Sequence, residues 1–164
     1  MEIRYHTTGD SLAEISGVYE KSWKYAYQDI IPQSYLDAIP AGNWVDFIQN
    51  ADGKHLIAVE NGEIIGAAFC CPSRWNDYKE FGEIVSLYFL PEYIGKSCGR
   101  QMLRRCIEEL EMLGFTEILL WVLEENHRAR RFYEQNGFIL SMERRGDRIG
   151  GKEVLEMMYI YQPE

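Results

Sequence analysis

The chain is short of basic residues, of histidine and of cysteine, and it has no long apolar run. Lysine and arginine number 17 against 26 aspartates and glutamates, for a formal net charge of −9. Proteins that bind nucleic acid neutralise phosphates with clustered Lys and Arg, so nucleic acid is excluded as the expected partner. An acidic surface keeps a protein soluble and can also attract a cationic substrate such as an amine. No apolar stretch approaches the ~20 residues that cross a bilayer, so no membrane partner is expected. Met1-Glu-Ile-Arg-Tyr5 has no basic leader followed by an apolar run, and no secretory signal is read there.

Cys70, Cys71, Cys98 and Cys106 have neither C-x-x-C spacing nor a neighbouring pair of histidines. Converging ligands on one ion needs such spacing, so no metal is expected. Four reduced thiols fit a cytoplasmic location. His6, His55 and His127 are scattered and read as surface or packing residues. Gly95-Lys96-Ser97 would end a nucleotide P-loop only with glycine at position 90, and Leu90 stands there, so ATP binding is excluded.

What is present is one globular domain over residues 1–164, with 46% hydrophobic and 13% aromatic residues and no repeats. A strand is expected at Ile3–Tyr5. A helix capped by Asp10 or Ser11 follows, with Leu12, Ile15, Val18, Tyr19, Trp23 and Tyr27 on one face. Short helices are expected from Pro32 to Ile39 and from Asn43 to Gln49. Strands at residues 55–60 and 63–71 flank Asn61-Gly62, a type I′ hairpin signal. A strand at 83–90 leads to a helix from Gly99 to Leu113, whose apolar face is Met102, Leu103, Cys106, Ile107, Leu110 and Leu113. The strand at 117–123 runs parallel to the previous one, because a helix-length crossover links them. A helix at 126–135 and strands at 138–144 and 152–161 close the chain, the last two joined by a polar loop. The fold class is α/β, a mixed, mostly antiparallel sheet with a central parallel pair and helices on both faces.

The turn Ile94-Gly95-Lys96-Ser97-Cys98-Gly99-Arg100 lies where a strand hands over to a helix. Unpaired backbone N–H groups and the helix dipole make such a turn a receptor for phosphate. Downstream, Asn126-x-x-Ala129-x-x-Phe132-Tyr133-Glu134-x-x-Gly137-Phe138 follows a strand, and Glu83-x-x-x-Leu87-Tyr88-Phe89-x-Pro91 precedes the turn. These two segments resemble the signatures of the GNAT superfamily of acyl-CoA-dependent N-acetyltransferases. The turn is similar to the family's Gln/Arg-x-x-Gly-x-Gly/Ala loop, with Ile94, Ser97 and Gly99 in those places. Ser97 in place of glycine is tolerable if its φ is negative, and Ile94 removes a polar side chain beside the cofactor. The resemblance extends over nearly the whole chain and includes Trp23, Tyr27, Ile30-Ile31-Pro32 and Leu36.

The resemblance implies the GNAT fold, with its two central parallel strands splayed apart. It implies acetyl-CoA as co-substrate, its pantetheine arm on Leu87, Tyr88 and Phe89. The pyrophosphate would lie on the N–H groups of Gly95, Lys96, Ser97, Cys98, Gly99 and Arg100, with Asn126 on the far side of the gap. Acetyl would pass to a primary amine, from a small molecule or a peptide, by direct attack on the thioester. Glu83 is then the expected base, the Phe89 N–H the expected oxyanion donor and Tyr133 the expected acid to the leaving thiolate. A water chain in place of Glu83 stays open. Cys98, beside the pyrophosphate, is not expected to be a nucleophile. Trp23 and Tyr27 are expected on the acceptor side. Any of Trp23, Tyr25, Tyr27, Trp44, Trp75 and Tyr78 lining the acceptor cleft would favour an apolar or cationic body through ring-face attraction. The family's habit of pairing its last strands suggests a homodimer. A non-catalytic acyl-CoA-binding domain and an enzyme for a different acyl-CoA stay open as alternatives.

Overall fold

The computed structural model describes residues 1–162. Seven strands form one sheet in the order β1-β2-β3-β4-β5-β7-β6. The strands are β1 (Glu2–Tyr5), β2 (Lys54–Glu60), β3 (Glu63–Pro72), β4 (Gly82–Phe89), β5 (Ile118–Leu123), β6 (Ile139–Ile149) and β7 (Lys152–Tyr161). Every neighbouring pair is antiparallel except β4 and β5. The helices are α1 (Leu12–Ala26), α2 (Gln33–Asp37), α3 (Val45–Asn50), α4 (Cys98–Met112) and α5 (His127–Glu134). None of them is long and apolar enough to cross a membrane.

Local chemistry sets most boundaries. Ser11 caps α1 by accepting from the Glu14 N–H at 3.3 Å, whereas Asp10 is taken by Arg4 at 2.7 Å. Asn61 and Gly62 both have positive φ, 53° and 83°, as a type I′ hairpin between β2 and β3 requires. Of the expected face of α4, Leu113 falls just past the end of the helix and is exposed, whereas Met102, Leu103, Cys106, Ile107 and Leu110 are buried. They pack on the side of the sheet that carries Cys70 and Ile84, while α1 packs on the other through Ile15, Val18 and Tyr19. Tyr19 donates to or accepts from Ser86 of β4 at 2.9 Å.

Two features depart from the sequence reading. First, β6 does not end at Arg144 in a polar loop. It continues to Ile149 and pairs with β7 from Arg145↔Glu156 to Ile149↔Lys152, turning at Gly150-Gly151. The extension carries almost no apolar residue; cross-strand charge pairing, led by Arg145 with Glu156, takes the place of a buried face. Second, the β3–β4 register runs Phe69↔Ser86 and then Cys70↔Ile84, which leaves Val85 as an extra residue in β4. Such a bulge bends and twists its strand. Beyond it, β4 leaves β5: the two pair only at Gly82↔Ile118 and Glu83↔Leu119.

Candidate active site

The separation of β4 from β5 opens a cavity of about 900 Å³ at the centre of the sheet. Its walls are Ile84–Phe89 on one side, Leu120–Val122 on the other, and the start of α5 with Asn126, Phe132 and Tyr133. Its far end is the turn from Ile94 to Arg100.

Along β4 the backbone polar groups alternate between two neighbours. The Leu90 N–H donates to Ile65 O at 2.9 Å, so that pair is a hydrogen-bonded one, as is Ala67↔Tyr88 two residues on. Leu87 and Phe89 therefore turn their N–H and C=O groups away from β3 and into the gap. The Phe89 carbonyl accepts from Ser22 Oγ of α1 at 2.7 Å. Tyr88 spends its backbone on β3 and offers the gap only its side chain.

At the turn, Gly95 adopts φ +81° and Ser97 φ −60°. Serine is thus unstrained where the family motif carries glycine, and the true left-handed position holds Gly95. The N–H groups of Gly95, Ser97, Cys98, Gly99 and Arg100 find no acceptor among the described residues. Lys96 N–H makes a long bond of 3.4 Å to Tyr93 O, and its Nζ lies 4.7 Å over the Tyr93 ring. Cys98 is a free thiol at the first turn of α4, off the cavity wall. Asn126 is buried and caps α5, its Oδ1 accepting from Ala129 N–H at 3.2 Å. That leaves its Nδ2 for the cavity.

Tyr133 lines the cavity, and burial raises its pKa well above the ordinary phenol value, helped by neighbouring Tyr88. It stays protonated across the neutral range, as an acid requires. Tyr27 and Tyr88 hydroxyls lie 3.3 Å apart at the mouth of the gap, and burial raises both. Trp23 stands behind them, its ring 4.8 Å from Tyr27 and 5.6 Å from Trp44.

Glu83 is placed differently from its neighbours in the motif. It sits at the closed end of the gap, 1% exposed, outside the cavity wall. Both of its oxygens are occupied. Oε2 accepts from Arg74 N and Nε at 3.0 and 3.1 Å, and Oε1 from Arg74 Nη2 at 2.7 Å and Trp75 Nε1 at 3.2 Å. Burial pushes its pKa up, but the Arg74 guanidinium and amide outweigh burial and hold it below the ordinary carboxylate value.

Beside this pair is a second one. Arg145 of β6 is salt-bridged to Glu156 of β7. Its guanidinium lies 4.2 Å from the Trp75 ring and 4.9 Å from the Trp121 ring. Of the ring faces expected to attract a cationic substrate, that of Trp75 is already occupied by the protein's own Arg145, which also covers Trp121.

The model of the acetyltransferase (GNAT) family matches residues 15–138. The chain belongs to this family. A protein of Bacillus subtilis described as uncharacterized N-acetyltransferase YuaI is 30% identical over 71% of this chain and 69% of its own. The L-amino acid N-acyltransferase MnaT of Escherichia coli is 26% identical over 87% of this chain and 82% of its own. The spermidine N(1)-acetyltransferase of Thermoplasma acidophilum is 26% identical over 84% and 88%. Among solved structures, the PaiA N-acetyltransferase of T. acidophilum in complex with coenzyme A has a TM-score of 0.77 at 23% identity, covering 99% of this chain and 98% of its own. YncA of Salmonella typhimurium, solved with acetyl-CoA, has a TM-score of 0.72 at 20% identity, covering 100% and 94%. Both have the fold described above.

In this GNAT protein the motif residues Leu87, Phe89, Gly95, Lys96, Ser97, Gly99, Arg100, Asn126 and Tyr133 gather round one cavity, and Tyr27 joins them. Arg74, Trp121, Arg145 and Glu156 escaped notice as a group. They come from four separate segments, and only the β6–β7 register brings Arg145 against Glu156.

Proposed function

We propose that this acetyltransferase moves the acetyl group of acetyl-CoA to a primary amine by direct attack. The observation that carries the reading is the pair of unpaired backbone edges facing each other across the gap. An amide-rich pantetheine arm would satisfy the Leu87 and Phe89 groups as an added strand would, and buried backbone amides are costly to leave unpaired. The unspent N–H groups from Gly95 to Arg100 would hold the pyrophosphate. The solved relatives complexed with coenzyme A and acetyl-CoA support the same reading. The relatives named for spermidine and for amino acids support an amine as acceptor.

The amine must first lose its proton, since an alkylammonium has a pKa near 10.4. Its lone pair then attacks the thioester carbon, and the carbonyl oxygen becomes negative. The Phe89 N–H, aimed into the gap, is the donor we assign to that oxygen. The C–S bond then breaks, and Tyr133 protonates the departing thiolate to give CoA and an N-acetyl amine. Glu83 is ionised but has both oxygens clamped, so we assign the amine's proton to a chain of water molecules leading to solvent, with Glu83 acting on it through its charge rather than by contact. Free thiols at all four cysteines fit a reducing cytoplasm. We keep a second copy, paired through the last strands, as the expected assembly.

The test is thiol release from acetyl-CoA across a panel of amines, with Tyr133→Phe alongside. Amine-dependent release that the variant slows, at unchanged acetyl-CoA binding, is the expected result. Acetyl-CoA binding with no release for any amine would favour the binding-only alternative. Release with another acyl-CoA alone would reassign the donor.

A further inference from the structure

Resting on the acetyl-transfer reading, we infer that the acceptor is a small aminocarboxylate, an α-amino acid, whose carboxylate is held by Arg145 and Arg74 beside Trp75 and Trp121.

The hydrogen-bond inventory at this face is lopsided. Arg145 spends Nε on Glu156, and among the described residues its two terminal nitrogens have no acceptor. Arg74 spends its amide, Nε and Nη2 on Glu83 and leaves Nη1 without one. The Trp121 indole N–H is buried and also without an acceptor, the one such buried side-chain atom among the described residues. Against these donors, Glu83 has no oxygen to spare, and Glu156 keeps only Oε1. A ligand that completes this set must bring acceptors. A carboxylate brings two oxygens with about four lone-pair sites and no donor, and a guanidinium can take it in a two-pronged bond. A polyamine brings only N–H donors, which the arginines cannot accept.

The place is right for an acceptor. Trp121 lines the central cavity and stacks on Arg145, so the arginine sits one ring away from the gap. Glu156 lies opposite Leu123 on the same face and is close enough for its charge to bear on the Tyr27 and Tyr88 hydroxyls. Arg74 and Arg145 side chains are 50% and 32% exposed, so a solute reaches them. The net charge of −9 does not argue against an anionic group here, because charges beyond about 8 Å are largely screened at physiological salt.

The test measures kcat/KM for the twenty L-amino acids, their carboxamides and spermidine, with acetyl-CoA binding followed separately by thermal shift. The expected result is at least one amino acid preferred over its own carboxamide by about ten- to a hundredfold, the range for a hydrogen bond to a charged group. Arg145→Gln combined with Glu156→Gln removes both charges and keeps the pair hydrogen-bonded. It should abolish that preference through KM, with the melting temperature and acetyl-CoA binding retained. Equal use of acid and amide, a preference for spermidine, an undiminished preference in the double variant, or no turnover of any amino acid would each overturn the inference. Loss of acetyl-CoA binding by the wild type would instead overturn the acetyl-transfer reading, so the two failures are told apart.

Discussion

Glu83 is buried and Tyr133 half-buried beside the gap, and burial raises the pKa of both, but only Glu83 has a cation that overrides it. For the phenol it favours the neutral form, and no cation stands by to reverse it. Tyr133 thus keeps a proton to give. Replacing it with Phe should lower kcat by about 10²- to 10⁴-fold, the usual range for one proton-transfer group, with KM for acetyl-CoA nearly unchanged. Steady-state kinetics checks this. For Glu83, burial is outweighed by Arg74, so its folded pKa lies below the ordinary value. Stability from such a group is fully present above the unfolded pKa, about 4.3, and is lost as the pH falls through the folded value. Glu83→Gln should therefore flatten the fall of melting temperature below about pH 4.3. Arg74→Ala leaves the carboxylate buried and uncompensated, and should cost about 3 kcal/mol in denaturant unfolding at pH 7. Half of Arg74 is exposed, which keeps this at the low end of the range for buried pairs.

At the scale of elements, the gap is made by β4. Its alternation separates amides already paired with β3 from amides that wait for a ligand. Hydrogen exchange resolves the difference: saturating acetyl-CoA should slow exchange at Leu87 and Phe89 and leave Tyr88, already bonded to β3, little changed. The strand also depends on Gly66 of β3, where an added Cβ would meet the Phe89 ring at 2.5 Å. Gly66→Ala must displace that ring, costing about 1–3 kcal/mol and raising KM for acetyl-CoA. Most elements were legible from pattern. Near-continuous apolar runs marked β2 to β5, and the 3.6-residue face marked α4. The turn chemistry of Asn61-Gly62 and the cap at Asp10-Ser11 were legible for the same reason, since each acts within a few residues. The bulge at Val85 was not, because an extra residue inside an apolar strand leaves the run looking continuous. Nor was the tail of β6, where Arg145 to Ile149 read as a loop and charge pairing replaced apolar alternation. The cavity side of the site was therefore readable from local motifs. The acceptor side depended on Arg74, Trp121, Arg145 and Glu156 meeting across a register that no local pattern encodes.

For the whole molecule, the consequence is a sheet that is incomplete at its centre. A 164-residue chain has enough core to fold around such a defect, with packed residues on both faces of β2 and β3. Yet the two central strands are tied to each other at only two registered pairs, and the rest of their facing edges lines the cavity. A ligand that bridges them binds only the folded state. At a concentration about 100 times its Kd it adds about 2.7 kcal/mol to stability. For a chain of this size, 1 kcal/mol moves the melting temperature by about 2–4 °C. Acetyl-CoA should thus raise it by about 5–10 °C in a scanning-fluorescence or calorimetric experiment. Gly95→Val tests whether the loop shares in this bridging. Its φ of +81° disfavours a β-branched side chain, so the turn must open, while the strand edges stay intact. The variant should keep most of its own stability and lose most of the acetyl-CoA shift, because the pyrophosphate end of the bridge has gone. An undiminished shift would mean that the strand edges alone carry the binding.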